Sequence, residues 1–483
     1  MTTRTRRRFL SDSALAAAAL SISPASRLLA ADDAAPQSKS PNERLNVAII
    51  GVRGRGGEHI RAFADRQDTL ITHICDVDER VGAARAADAA KRQDHEPKVV
   101  VDMREIFDDP SVDIISTATP NHWHALCSIW AMQAGKDVYV EKPVSHNVSE
   151  GRRIVEVARK YNRICQTGTQ SRSNRGMQSA IEYLHSGELG DLLIARGLCY
   201  KRRRSIGEAG DYRVPEWVNY DLWLGPAPVR PLTRPQLHYD WHWMWDYGNG
   251  DLGNQGIHQM DIARWGLGVD NLGVGVMGYG GRFGYEDAGE TANTQVSIHD
   301  YGDRRLVFEV RGLETDPLRG ASVGNIFYGT KGYLVMTSYS SGAAFDPEGN
   351  KLAEFGGGGD HFDNFIKAVR SRNVDDLSAD ILEGHLSSAL CHLGNISYQL
   401  GQPAKVAELR ERLGSDADSQ ETLERFVEHL EKNGVDANAV GVQVGPHLAF
   451  NPETETFVDN SQADSMLTRE YRAPFVVPSA SEI

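Results

Sequence analysis

At 483 residues the chain is too long for one simple core and points to two domains with extensions. Its 24% charged and 40% hydrophobic residues are those of an ordinary globular protein. A formal net charge of −14 excludes a nucleic-acid partner that needs a field of Lys and Arg, and suits small uncharged polyols or sugars better.

In chain order, residues 1–35 read as a removable targeting segment: a basic start, a mild Ala-rich apolar middle, then small residues before an acidic stretch. Arg6 and Arg7, followed by Arg8, Phe9 and Leu10, fit the twin-arginine type, whose machinery exports folded proteins, so a periplasmic protein is expected. No other segment reaches the apolar length of a membrane span. From residue 46, short apolar runs alternate with helical patterns, which marks parallel strands buried on both faces. NVAII, TLITHIC, DIISTATP, DVYVEKP and RICQTG read as strands, giving a doubly wound domain over 42–166. Between them HALCSIWAMQAG and SEGRRIVEVARKY read as helices. Over 167–402 the pattern becomes α+β, with LLIARGLCY, TANTQVSIHD, RRLVFEVRG, GNIFYG and GYLVMTS forming a large, mostly antiparallel sheet. A Pro-, Trp- and Tyr-rich insertion occupies about 201–245, and 403–483 reads as a polar extension with one helix and an irregular tail. The five scattered cysteines read as buried single thiols.

The first βα turn is GVRGRGG, residues 51–57. A dinucleotide-binding loop uses three glycines, for the tight turn, for close approach of the pyrophosphate and for helix packing. Gly51 and Gly56 take the first and third places, but Arg53 takes the second. Gly54 supplies the lost freedom in this reading, with the Arg53 side chain turned outward or laid toward phosphate, and Arg55 is expected as a further cofactor-binding residue. The bland alternative is a glycine-rich turn. Asp76, 25 residues after Gly51, would accept from the adenosine ribose hydroxyls and repel a 2′-phosphate, favouring NAD over NADP. Asp76 could also merely cap the next helix.

The glycine loop, ICDVD at 74–78, ATPNHWH at 118–124, EKP from Glu141 and GNQGIHQMDIARW at 253–265 together resemble the glucose-fructose oxidoreductase and inositol dehydrogenase family, Gfo/Idh/MocA. The resemblance covers about residues 44–400. It implies a Rossmann domain, a C-terminal α/β domain whose open sheet often mediates dimers or tetramers, and an active site between them. The EKP lysine, which the family places beside the nicotinamide, is Lys142 here, and an ammonium there stabilises a developing alkoxide. Glu141 would orient it or pair with it. The family's second motif carries an aspartate and, four residues on, a histidine. Here these are Asn254 and His258, one helical turn apart and on one face. His258 can act as general base, whereas Asn254 can hold a hydroxyl but takes up no proton. Asp261 is expected to orient His258 or to be a plain helix residue.

Thr119, Pro120, Asn121 and His124 are expected at the nicotinamide end, with Trp123 as a packing wall. The insertion segment LHYDWHWMWDYGNG offers His238, Asp240 and His242 among tryptophans, either as a sugar platform or as loop core. No third ligand accompanies its histidines or the pair His122 and His124, so no metal is expected. The run 201–204, KRRR, reads as a solvated stretch, an interface or a flank of the substrate mouth.

The expected protein is therefore an exported NAD-dependent oxidoreductase acting on a carbohydrate or polyol, with Lys142 and His258 as its catalytic pair and a homo-oligomeric assembly. Outside the cytoplasm NADH cannot be exchanged for NAD, so the cofactor should be held tightly and recycled in place. Two alternatives stand: glycoside cleavage by transient oxidation, elimination and re-reduction, or a non-catalytic nucleotide- or sugar-binding protein on the same scaffold, motivated by Arg53 and Asn254.

Overall fold

The structure, a computed structural model, describes residues 43–483; the targeting segment expected over 1–35 lies outside the described residues. Six parallel strands, β1 (Leu45–Ile50), β2 (Thr69–Cys75), β3 (Lys98–Val100), β4 (Ile114–Thr117), β5 (Asp137–Val140) and β6 (Cys165–Thr167), pair in the order β3-β2-β1-β4-β5-β6. The order reverses direction between β1 and β4, and ligands bind beyond the carboxyl ends of the strands at such a switch point. Val47, Ala48, Ile49 and Ile50 are all buried, as a strand covered on both faces requires. Helices Gly56–Ala64 and Glu79–Gln93 and helices Asn121–Gln133 and Val148–Lys160 follow the strands, the last placing Ile154, Val157 and Ala158 in the core.

The second sheet has twelve strands. Its centre is formed by β7 (Leu192–Tyr200), β8 (Gly275–Gly281), β9 (Thr294–Asp300), β10 (Arg305–Arg311), β11 (Val323–Gly329) and β12 (Gly332–Met336), and β13 (Gly342–Phe345) and β14 (Lys351–Phe355) extend one edge. Only β7 and β10 pair in parallel among these; the others are antiparallel. Alternation sorts the side chains: Leu306, Phe308 and Val310 face helices Arg175–His185, Gly256–Leu267 and Ile381–Gln399, while Val307 faces helix Ala417–Lys432 on the other side.

The extension is woven into both domains rather than trailing as an irregular tail. Strands β15 (Gln402–Ala404), β16 (Val442–Val444) and β17 (Leu448–Asn451) join the large sheet, and β17 pairs with β18 (Thr456–Phe457). Phe426 and Leu430 of helix Ala417–Lys432 pack on Tyr279 and Val296. Beyond it, Phe475 and Val477 enter the core of the first domain, where the Phe475 ring meets Trp123 edge-on at 5.4 Å. Helix His361–Ser371 likewise completes the first domain's core through Phe365 and Ile366. All five cysteines are free and buried. Among the described residues no helix is long and apolar enough to cross a membrane.

Candidate active site

A cleft of about 610 Å³ runs from the glycine loop, past the ends of β4 and β5, to the helices after the insertion. At one end the loop is shaped by backbone geometry. Gly51 has φ +77°, and a Cβ there would lie 2.7 Å from the Thr119 nitrogen. A Cβ on Gly56 would lie 2.1 Å from the Gly51 carbonyl oxygen, so this glycine packs the helix against the turn rather than lining the cleft. Arg53 sits at negative φ, so the second position of the fingerprint bears a side chain without strain. A Cβ on Gly54 would meet nothing, and this bare face lines the cleft, as close approach of a pyrophosphate demands. The loop is held from behind: the Asp76 carboxylate accepts from the backbone N–H groups of Val52 and Asp78, both at 2.9 Å, and Arg85 donates to the carbonyls of Val52 and Arg53. Desolvation raises the pKa of Asp76 and these two N–H bonds work against it. Asp76 lines the cleft, with lone pairs left for further donors.

The other end gathers Lys142, Asn254 and His258. Lys142 follows β5, and its Nζ donates to the Asn254 backbone oxygen at 2.9 Å. Helix Gly250–Asn254 ends there, and the next helix, Gly256–Leu267, begins two residues later. Asn254 and His258 are thus not on one continuous helix as expected. The break leaves a terminal carbonyl without an intrahelical donor, and the lysine supplies one. Burial lowers the pKa of Lys142; Glu141 opposes this, and the charges of Arg55, Lys201 and Arg203 add to it. His258 is pushed down to about 3 by desolvation and then by the Lys142 ammonium, so it is neutral at ordinary pH. Its ring lies 5.1 Å from that of Tyr339, and its Nδ1 has no hydrogen-bond partner among the described residues.

Glu141 does not pair with the Lys142 ammonium. Its carboxylate accepts from Arg55 Nε at 2.8 Å and from Gln170 at 3.1 Å, and lies 3.2 Å from His59 Nε2. Desolvation pushes Glu141 up, but His59 and Arg55 outweigh it and hold the carboxyl well below its usual range. Thr119, Pro120, Asn121 and His124 line the cleft. The His124 ring spans two loops, with Nδ1 2.6 Å from the Pro143 carbonyl and Nε2 2.7 Å from that of Thr119. Asn121 donates to Asn249 at 2.9 Å.

Three expectations for substrate contacts are corrected. His238 lies at the cofactor end, its Nε2 2.9 Å from Asp78, because the insertion crosses the end of β2: Asn219 N donates to the Val77 carbonyl and Glu79 N to that of Trp217. Asp240 is buried within the insertion, where desolvation raises its pKa and the charge of Arg234 opposes, and does not line the cleft. Asp261 does not reach His258; its carboxylate is taken by Arg172 at 2.8 Å and by the Ser387 hydroxyl, because it faces helix Ile381–Gln399. His242 does line the cleft, stacked on Trp241 at 3.7 Å. Desolvation pushes it down to about 3. Beside it, Tyr239 holds φ +67°, a strained conformation for a residue other than glycine. Sequence reasoning missed Gln170 and Tyr339, which arrive from distant segments without a motif, Gln255, which stands beside Asn254 within a quoted motif, and the bracing residues His59 and Arg85. The run 201–204 held a signal: Lys201 and Arg203 both line the cleft.

A glycosyl hydrolase family 109 protein from a Shewanella species is 26% identical over 180 residues, 36% of this chain and 39% of the relative. A levoglucosan dehydrogenase from Pseudarthrobacter phenanthrenivorans is 26% identical over 228 residues, 46% of this chain and 51% of the relative. The chain thus spans about half or less of the length of these curated relatives. The crystal structure of the WlbA dehydrogenase from Bordetella pertussis, in complex with NADH and UDP-GlcNAcA, shares the fold with a TM-score of 0.53 at 20% identity, covering 72% of this chain and 94% of that one. The model of the oxidoreductase family's NAD-binding Rossmann fold matches residues 45–169, and that of its C-terminal alpha/beta domain matches residues 207–432. With both domains matched in order and over most of its length, the chain belongs to the Gfo/Idh/MocA oxidoreductase family.

Proposed function

We propose that the protein oxidises a hydroxyl-bearing carbon of a sugar, polyol or glycoside with NAD. The observation that carries this reading is the meeting of Lys142 and His258 in the cleft whose other end is the glycine loop with Asp76. Gly51, Arg53, Gly54 and Arg55 would hold the pyrophosphate beside the N-terminus of helix Gly56–Ala64. Asp76 would hold the adenosine ribose, and Thr119, Pro120, Asn121 and Glu141 would flank the nicotinamide. When bound, NAD accepts a hydride from the carbinol carbon. Lys142 donates a hydrogen bond to the substrate oxygen and stabilises it as negative charge develops. His258, kept neutral by desolvation and then by the adjacent ammonium, accepts the hydroxyl proton. Asn254 offers its amide to a neighbouring hydroxyl.

The relatives named glycosyl hydrolase family 109 favour a second reading of the same site, in which the oxidation is transient. The ketone acidifies its α C–H, β-elimination expels the glycosidic substituent as an alcohol, water adds to the resulting enone, and the ring carbonyl is then reduced again, so the net reaction is hydrolysis and the cofactor never leaves. The chain covers its cofactor end in a way that supports retention: the insertion crosses the end of β2, and Arg472 of the tail donates to the Gly225 carbonyl and to Asp221 of that insertion. Export by the twin-arginine route to the periplasm, argued from residues 1–35, fits a protein that folds around its cofactor first. A dimer or tetramer would use the part of the large sheet around β11–β13, where Tyr328, Tyr333 and Phe345 are half-buried.

The test offers purified mature protein a panel of sugars and glycosides while the reduced-nicotinamide absorbance and the products are followed. Nicotinamide reduction that disappears in Lys142→Ala supports the oxidoreductase, and released aglycone with no net NADH selects cleavage. Protein that contains no nucleotide, binds NAD weakly and reduces it with no member of the panel sinks the proposal in favour of a binding scaffold.

A further inference from the structure

The cleft is electropositive although the chain as a whole is acidic. Arg53, Arg55, Lys142, Lys201 and Arg203 line it, against the carboxylates of Asp76 and Glu141 alone. Neither carboxylate is free for a substrate near Lys142. Asp76 lies at the far end and accepts from the loop, and Glu141 is occupied by Arg55, His59 and Gln170.

The excess at the Lys142 end arises from the strand-like run after β7. Lys201 N donates to the Arg311 carbonyl and Arg203 N to that of Gly312, so the chain stays extended and alternates sides. Arg202 points outward to Glu314 at 3.4 Å, while Lys201 and Arg203 point inward. Their inward charges are treated differently. The Arg203 guanidinium is neutralised by Asp251, whose buried carboxylate it meets through Nε at 2.9 Å and Nη2 at 2.5 Å. The Lys201 ammonium has only the amide oxygen of Gln255 at 3.5 Å and no carboxylate partner among the described residues. Gln255 adjoins Asn254, whose carbonyl holds Lys142, so Lys201 stands at the substrate end and its charge acts on Lys142. Two ammonium groups facing one cavity repel, and a ligand with one negative group between them relieves that repulsion.

We infer that the substrate is a sugar bearing an anionic substituent, a carboxylate or a sulfate ester, and that Lys201 is the residue that receives it. The inference rests on the oxidoreductase reading of the same cleft and names its substrate class.

The test is calorimetric binding to the purified, nucleotide-containing protein of two matched series: glucose, glucuronate and glucose 6-sulfate, and the corresponding galactose compounds. In at least one series a charged member should bind about tenfold or more tighter than its neutral parent. Comparing the carboxylate with the sulfate identifies which anion is taken. Lys201→Ala should abolish the gap, Lys201→Arg should retain most of it, and added salt should narrow it. Equal binding of charged and neutral members in both series, or a gap that survives Lys201→Ala, overturns the inference. Nicotinamide absorbance in the same samples separates the two proposals. A charge preference without reduction keeps the anionic ligand and removes the dehydrogenase; reduction with equal binding does the reverse.

Discussion

The two ends of the cleft are built in opposite ways. The core of the cofactor end comes from one contiguous unit, β1, the glycine loop, helix Gly56–Ala64, β2 and the Asp76 that follows it, over which the insertion lays His238, and backbone N–H and carbonyl groups hold its shape. The substrate end takes Lys142 from the end of β5, Lys201 from the end of β7, Asn254 and His258 from a broken helix, His242 from the insertion and Tyr339 from the turn after β12. A backbone-built end tolerates an odd side chain, which is why Arg53 leaves the loop's shape intact. A site assembled from five distant segments depends on each side chain and on every element that places it.

The sharpest way to break the comparison is at Lys142. Lys142→Ala should lower kcat by about a thousandfold, the scale of losing one oxyanion donor, while the nucleotide content of the purified protein stays as it was. Loss of nucleotide together with activity would mean that the two ends are not independent. The pH profile refines this. In the proposed mechanism turnover needs the Lys142 ammonium, whose pKa is lowered by burial, so activity should fall on the alkaline side below the usual lysine range. Neutral His258 is lost only as pH falls through about 3, so it should give no acid limb in the neutral range.

Next in size is the tail. Phe475 is 2% exposed between the rings of Trp123 and Trp130, and Phe475→Ala should cost about 3 kcal/mol in chemical denaturation. It should also speed nucleotide loss, because Arg472 beside it tethers the insertion that crosses the cofactor end. Unchanged nucleotide off-rate in this variant would refute the tail's part in retention.

Smaller effects distinguish the glycines. Gly51→Ala meets both positive φ and the Thr119 backbone, and should cost roughly 2 kcal/mol of thermal stability. Gly54→Ala has room for its methyl group, so it should leave stability alone and weaken NAD binding instead. If both lose stability equally, the division between turn glycine and approach glycine is wrong. The smallest change is Arg53→Gly, which restores the three-glycine spacing. It should alter stability by less than about 1 kcal/mol, because Arg53 carries no backbone strain to relieve. Weaker NAD binding in this variant would place the guanidinium on the cofactor.

Local pattern carried the first domain. The continuous apolar runs announced β1, β2, β4 and β5 because buried parallel strands need no polar face. β8 was not legible, since four glycines in GVMGYGG argue against a strand. Its reason is tertiary: a Cβ on Gly278 would lie 2.7 Å from the Gly394 carbonyl of helix Ile381–Gln399, which crosses the sheet there. The tail strands escaped notice for a similar cause, being two to four residues long and held by an existing sheet edge.

By itself the sequence determined the Rossmann unit, its glycine loop with Asp76, and the residue types Lys142 and His258, because those signals are local in chain and chemistry. Only the tertiary structure decided that Asp261 binds Arg172, that His238 covers the cofactor end, and that an acidic chain presents a basic cleft. Net charge sums over the whole surface, whereas the field in a cleft is set by the few charges that line it and by which of them are paired.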